Sequence, residues 1–166
     1  MGHVARPQWF SATLSILWTQ GFALRHMIRG EQMATTVGQY CIKVSDLDRS
    51  VHFYVDLLGL KVQGRTEIPN VNEVHLAADS GGGRLQLAKF AETMSPQPLD
   101  HGNALWKTYI NVDDCQETWQ RVVDAGYTSV MDPERLERWP VIVAFVYDPD
   151  GYLIELIQHD GQRPGE

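Results

Sequence analysis

The chain repeats itself, and an internal repeat limits the folds open to a sequence more than any other property it has. Ile42-Lys43-Val44-Ser45-Asp46 has a counterpart in Ile110-Asn111-Val112-Asp113-Asp114. Each reads as a short strand running into side-chain oxygens that can accept from the free N–H groups of a helix start. A helical pattern follows in both copies. The first puts Val51, Tyr54 and Leu58 on one stripe with Phe53 and Leu57 beside it; the second aligns Cys115, Trp119, Val122 and Val123. Both patterns stop at a glycine, Gly59 and Gly126, the residue that accepts a left-handed helix end most cheaply. Later segments match as well. Val74-His75-Leu76-Ala77 turns through Asp79-Ser80-Gly81-Gly82-Gly83 into Leu85-Gln86-Leu87, and Val141 to Tyr147 turns through Asp148-Pro149-Asp150-Gly151 into Leu153-Ile154-Glu155-Leu156. Each copy therefore reads βαβββ. One helix cannot cover its own sheet, so the copies must pair. The expected fold is α+β, two tandem βαβββ modules forming a curved mixed sheet around a groove.

The 166 residues, 43% of them hydrophobic, suit one such domain. The repeat sets its limits at residues 33–160, with module one at 37–90, a linker at 91–104 carrying Pro96, Pro98 and Gly102, module two at 105–158, and a tail at 161–166. Residues 1–32 differ in character. No acid occurs from Met1 to Gly30, while Arg6, Arg25 and Arg29 are basic. The apolar run there is too short and too interrupted for a membrane span or a clean signal peptide. Met33-Ala34-Thr35-Thr36 reads like a natural beginning, so the extension is expected to be a start-site artefact or an extra helix. A net charge of −7 repels phosphate backbones and argues against a nucleic-acid partner. Cys41 and Cys115 have no CxxC partner, and the expectation is two buried, reduced thiols in a cytoplasmic protein.

Two stretches carry a family likeness. Val44-Ser45-Asp46-Leu47-Asp48-Arg49-Ser50-Val51-His52-Phe53-Tyr54, followed by Leu57-Leu58-Gly59-Leu60, resembles the first-helix motif of the glyoxalase/bleomycin-resistance/dioxygenase (vicinal oxygen chelate) superfamily. Ala144-Phe145-Val146-Tyr147-Asp148-Pro149-Asp150-Gly151-Tyr152-Leu153-Ile154-Glu155-Leu156 resembles its last hairpin and is the more specific match. The likeness spans roughly residues 37–158 and is strongest to the lactoylglutathione lyase (glyoxalase I) branch. It implies that one side chain from the first strand and one from the last strand of each module face a groove and bind a divalent metal. Carried onto this sequence, those positions are Gln39, Gln86, Lys107 and Glu155. The repeat supports the choice: Gln39 precedes Ile42 as Lys107 precedes Ile110, and Gln86 precedes Leu87 as Glu155 precedes Leu156.

Lys107 departs from the pattern, which has histidine there. An ammonium has three donors and no lone pair, and the remaining set is two amides and one carboxylate. No tightly bound cofactor is therefore expected; a weakly held Ni, Zn, Mg or Mn would have Gln39, Gln86 and Glu155 as ligands. Ring-cleaving dioxygenase chemistry, which needs two histidines and a carboxylate, is not expected. The resemblance implies a lyase or isomerase acting by proton transfer next to a carbonyl, with Glu155 as base; Lys107, outside the family pattern, is read either as supplying the charge a metal would bring or as a plain ion pair with Glu155 in a binding site. The alternative is a metal-free binding protein like the bleomycin-resistance branch. The resemblance implies that the segment Asp132 to Pro140 is a loop over the ligand, with Arg135 and Arg138 to hold an anion and Trp139 to stack on a flat group; a mixed-charge surface loop is the equal alternative. Trp106 is expected to pack behind the sheet. His52, His75, His101 and His159 are read as structural or solvated. The expected partners are a small molecule and a second copy of the chain, without nucleic acid or membrane.

Overall fold

The computed structural model describes residues 38–94 and 98–161; the expectations for the extension at 1–32 and most of the 161–166 tail lie outside the described residues. The element order is the expected repeat. Strand β1 (Gln39–Lys43), helix α1 (Leu47–Val51), and strands β2 (Lys61–Ile68), β3 (Val71–Ala77) and β4 (Arg84–Phe90) make module one. Strand β5 (Thr108–Asn111), helix α2 (Cys115–Asp124), and strands β6 (Ser129–Arg135), β7 (Val141–Tyr147) and β8 (Leu153–His159) make module two. The sheet orders are β1-β4-β3-β2 and β5-β8-β7-β6, with the first pair parallel and the others antiparallel in each. The tandem α+β fold is as expected, but the copies form two sheets rather than one continuous curved sheet.

Local chemistry explains the helices. Asp46 caps α1 by accepting the Arg49 N–H at 2.9 Å, and Asp114 caps α2 by accepting that of Glu117 at 2.8 Å. Module one's helix widens into a π-helical turn over His52–Leu57, which carries Phe53 and Tyr54 fully into the core. Gly59 and Gly126 end the helices at φ 86° and 89°, where any Cβ would be strained.

One face of each sheet and both helices share a single apolar core. Leu76 and Leu87 of module one meet Val146, Ile154 and Leu156 of module two there, with Phe53 and Val122 of the helical segments, all fully buried. Each such aliphatic side chain contributes about 1.5–3 kcal/mol by leaving water. The modules are also joined by polar bonds. The Tyr54 hydroxyl donates to Asp148 Oδ2 at 2.8 Å, while Asp148 Oδ1 accepts the N–H groups of Asp150 and Tyr152 at 2.9 and 2.8 Å. Asp150 accepts the Ser45 N–H at 3.0 Å and the Ser45 hydroxyl, and pairs with Arg49. From the other side, Arg121 donates to the Leu57 carbonyl and Tyr152 to that of Lys43. The turn Asp148-Pro149-Asp150-Gly151 thus clasps the first helix of the other module.

Burial pushes the Asp148 carboxyl above its ordinary range, against the three hydrogen bonds it accepts. Removing one of those bonds raises it further. Tyr54→Phe is expected to cost about 1.5–3 kcal/mol near neutral pH, the range for a hydrogen bond to a charged group. A folded pKa above the unfolded one gives stability that is complete below the unfolded value and lost as pH rises through the folded value. The deficit of the variant should therefore shrink on acidification toward the ordinary carboxylate range. Urea unfolding of both proteins across pH checks this, and a pH-independent deficit contradicts it.

Candidate functional site

Strand alternation decides which side chains leave the core. In module one Ile42, Leu85 and Leu87 face the helices, so Gln39, Cys41, Arg84 and Gln86 stand on the other, open face. Parallel pairing sets Gln39 opposite Arg84 and Cys41 opposite Gln86. Gln39 Nε2 donates to Gln86 Oε1 at 2.5 Å. On β3, His75 lies opposite Gln86, with the Thr66 hydroxyl 3.2 Å and the Glu73 carboxylate 4.0 Å from its Nε2. Cys41 is exposed, contrary to the expectation of two buried thiols: its strand position alternates with buried Ile42 and so points outward. Cys115 is buried as expected, and its thiol is pushed up to about 11, first by burial and then by the charge of Asp114.

Module two repeats the arrangement with different chemistry. Tyr109 and Phe145 both pair with Glu155, so these side chains share the open face, and Lys107, two residues before Tyr109, joins them. Lys107 Nζ lies 2.5 Å from Glu155 Oε2, and the two side chains are only 10% and 8% exposed. That oxygen has no other polar partner among the described residues. Three rings surround the ammonium: Trp106 at 4.1 Å, Tyr109 at 4.8 Å and Phe145 at 5.2 Å from Nζ, within cation–π range. Burial by itself would lower the Lys107 pKa, but Glu155 and Tyr109 outweigh it and hold the group above its ordinary range. Trp106, expected behind the sheet, is 74% exposed and presents its ring to Lys107. Tyr109 and Phe145 were not singled out from the sequence, although Tyr109 has the same parity as Lys107 and could have been found by it.

The structure thus brings the four candidates together as two pairs. No hydrogen bond or ion pair among the described residues links Gln39–Gln86 to Lys107–Glu155. The modules meet through α2, the π-helical turn and the shared core, and each pair lies on a sheet face turned away from that core. The other candidates lie apart. Asp132 to Arg135 belong to β6, not to a loop as expected, because strand pairing with β7 continues past Pro133 across a register shift. Arg135 pairs with Asp160. Arg138 stacks on Trp139 at 5.0 Å beside a shallow surface recess that Arg135 and Pro140 also line. Of the histidines, His159 contacts Asn111 at 3.2 Å and His101 stacks on Tyr152 at 4.4 Å.

The residues present do not fit a divalent metal. Lys107 stays charged, offers no lone pair, and already occupies Glu155 Oε2. Gln39 and Gln86 are bonded to each other, which uses one of their two oxygens. Among the described residues no three His, Cys, Asp or Glu side chains gather as a metal site.

Two βαβββ copies on one core, each with a polar pair at matching strand positions on an open face, define a tandem-module protein with paired half-sites. The chain belongs to the Glyoxalase/Bleomycin resistance protein/Dioxygenase superfamily, whose family profile matches residues 36–156. It is 32% identical over 124 residues to a probable lactoylglutathione lyase of Synechocystis, covering 74% of this chain and 94% of that protein. Among solved structures, the glyoxalase I of Leishmania major superposes with a TM-score of 0.62 at 29% identity, over 75% of this chain and 87% of that one. TnmS3, an antibiotic binding protein from Streptomyces, shares the fold with a TM-score of 0.60 at 24% identity, over 78% of this chain and all of that one. No helix among the described residues is long and apolar enough to cross a membrane.

Lys107→Met leaves Glu155 as a buried carboxylate without its counter-charge. Breaking such a pair costs roughly 3 kcal/mol at neutral pH. Urea unfolding of both proteins at neutral pH tests this, and a variant as stable as the wild type contradicts it.

Proposed function

We propose that the chain is a metal-independent enzyme of the glyoxalase type that moves a proton next to a carbonyl, with Glu155 as the base and Lys107 as the fixed positive charge. The observation that carries this reading is the 2.5 Å contact between Lys107 Nζ and Glu155 Oε2 inside a ring of three aromatic side chains. A carboxylate that takes a proton from carbon pushes an electron pair onto the neighbouring carbonyl oxygen. An ammonium beside that carboxylate stabilises the oxyanion as charge develops, and the aromatic walls strengthen the interaction by keeping water out. The same carboxyl then returns the proton to an adjacent atom, so no redox partner is needed. Gln39 and Gln86 supply amide groups to orient the substrate. Arg138 and Trp139 are held as outer ligand contacts, with Arg135 bracing the same corner through Asp160.

The half-sites stand on two different sheets, and Trp106 and Tyr109 leave 74% and 57% of their surface open beside one of them. Two chains that place the Gln39–Gln86 face of one against the Lys107–Glu155 face of the other would complete the site and cover those rings, which favours a homodimer. The free thiols of Cys41 and Cys115 favour a reducing compartment, the cytoplasm. A second reading is capture of a small molecule without turnover. The exposed rings favour it, and an antibiotic binding protein shares the fold.

S-lactoylglutathione, the compound named in the relatives, is the probe. Wild-type protein in chelator-treated D₂O should exchange the lactoyl proton next to the thioester carbonyl, followed by NMR. Glu155→Gln and Lys107→Ala should each lower that exchange at least 100-fold while still folding, in line with loss of a general base or of oxyanion stabilisation. Exchange that appears only with added Ni or Zn overturns the metal-independent reading; binding without exchange leaves the capture reading. Mixing the Gln86→Leu and Lys107→Ala proteins should restore part of the activity if the site spans two chains.

A further inference from the structure

We propose that the turn end of module one's open face is an anion-binding subsite, built from Arg84 and Lys61 across Ala77, and that it takes a phosphate or carboxylate group of the ligand. Directly paired residues in a ladder project to the same face. Ala77 pairs with Arg84 on one side and with Lys61 on the other, and Arg84 pairs with Gln39. One row across the sheet therefore reads Gln39, Arg84, Ala77, Lys61. The methyl of Ala77 leaves space between two long cationic side chains, so both heads can converge on one anion above it.

Neither cation has a carboxylate within 4.0 Å among the described residues. A lysine on β2 is explained by its place at the sheet edge, where charge prevents pairing with another chain. Arg84 has no such reason, because β4 lies inside the sheet between β1 and β3. An unpaired guanidinium on an interior strand of an acidic protein, next to the Gln39–Gln86 pair, is placed for a ligand. Beside it the turn after β3 forms a recess of about 320 Å³ lined by Gln63, Ala77, Ala78, Gly81, Gly82 and Arg84. Nothing stands within 4 Å of where a Cβ would sit on Gly81 or Gly82, so a ligand group reaches the backbone there. Asp79 also lines the recess, so Arg84 is the cation of the recess itself and Lys61 reaches it from across Ala77. A planar guanidinium favours the two-oxygen grip that phosphates and carboxylates share.

The inference deepens the functional reading by giving the ligand a charge, and rests on it only for the claim that one ligand reaches from Gln39 to Arg84. Inorganic phosphate is the direct probe, titrated into the full chain at constant ionic strength while the backbone amides and the Arg84 Nε–H are followed by NMR. The wild type should show saturable shifts at Gly81, Gly82 and Arg84. Arg84→Met should weaken phosphate binding at least tenfold and Lys61→Met several-fold, with Arg65→Met, on the same sheet but off this row, unchanged. Shifts that chloride reproduces, or an Arg84→Met protein that binds phosphate within twofold of the wild type, overturn the subsite. With S-lactoylglutathione, Arg84→Met should raise KM and leave kcat within twofold. A wild type that binds phosphate but exchanges no lactoyl proton would strike at the proposed reaction and not at this site.

Discussion

The turn at Asp148-Pro149-Asp150-Gly151 is the contact on which the rest of the molecule depends. Its two carboxylates serve different ends. Asp148 closes the turn through the N–H groups of Asp150 and Tyr152, then accepts the Tyr54 hydroxyl from the other module. Asp150 accepts from Ser45 at the start of the other module's helix and pairs with Arg49. Each hydrogen bond contributes on the order of 1 kcal/mol net, far less than the apolar core. Their importance is directional. A hydrophobic core is tolerant of angle: strand alternation sets which face of each sheet meets the helices, and these bonds tie the turn of one module to the helix start of the other.

That orientation has a chemical consequence. With the helices between the modules, each sheet has one face inside and one outside, and every strand sorts its residues accordingly. The matching positions of the two copies then point outward as two pairs, which have diverged. Module one carries a neutral amide pair bordered by His75, Glu73 and Thr66. Module two carries an ion pair walled by Trp106, Tyr109 and Phe145. The first face is suited to hydrogen bonding and the second to charge held in an apolar setting. A ligand that needs both must contact both faces.

Much of this was legible in the chain. The repeat gave the element order because each segment's period and its capping or turn residues agree. The four matching strand positions followed from the same repeat, and Lys107 could be seen as a misfit for a metal from its chemistry alone. What the sequence left open was non-local. Cys41 was placed inward as a small apolar residue, yet the open side of its strand depends on where the partner module packs; Trp106 was placed behind the sheet by alternation with Lys107, but both precede β5, which starts at Thr108, so strand alternation does not bind them. The resemblance implied a loop from Asp132 to Pro140, but a register shift lets β6 run on to Arg135. The π-helical turn could not be read either, since its widening serves the fit of Phe53 and Tyr54 into a core drawn from both copies.

The difference between Lys107 and a metal is also one of energetics. A divalent ion polarises a substrate oxygen by direct bonding and needs ligands that stay deprotonated. An ammonium is a weaker centre, but it is covalently attached, so its charge is present without a loading equilibrium. Its handicap is desolvation, which would favour the neutral amine. Here the carboxylate of Glu155 and the three ring faces return that cost, and the group is held charged. The aromatic wall and the ion pair are thus one device: without the rings water would weaken the pair, and without Glu155 the ammonium would lose its main counterweight to burial.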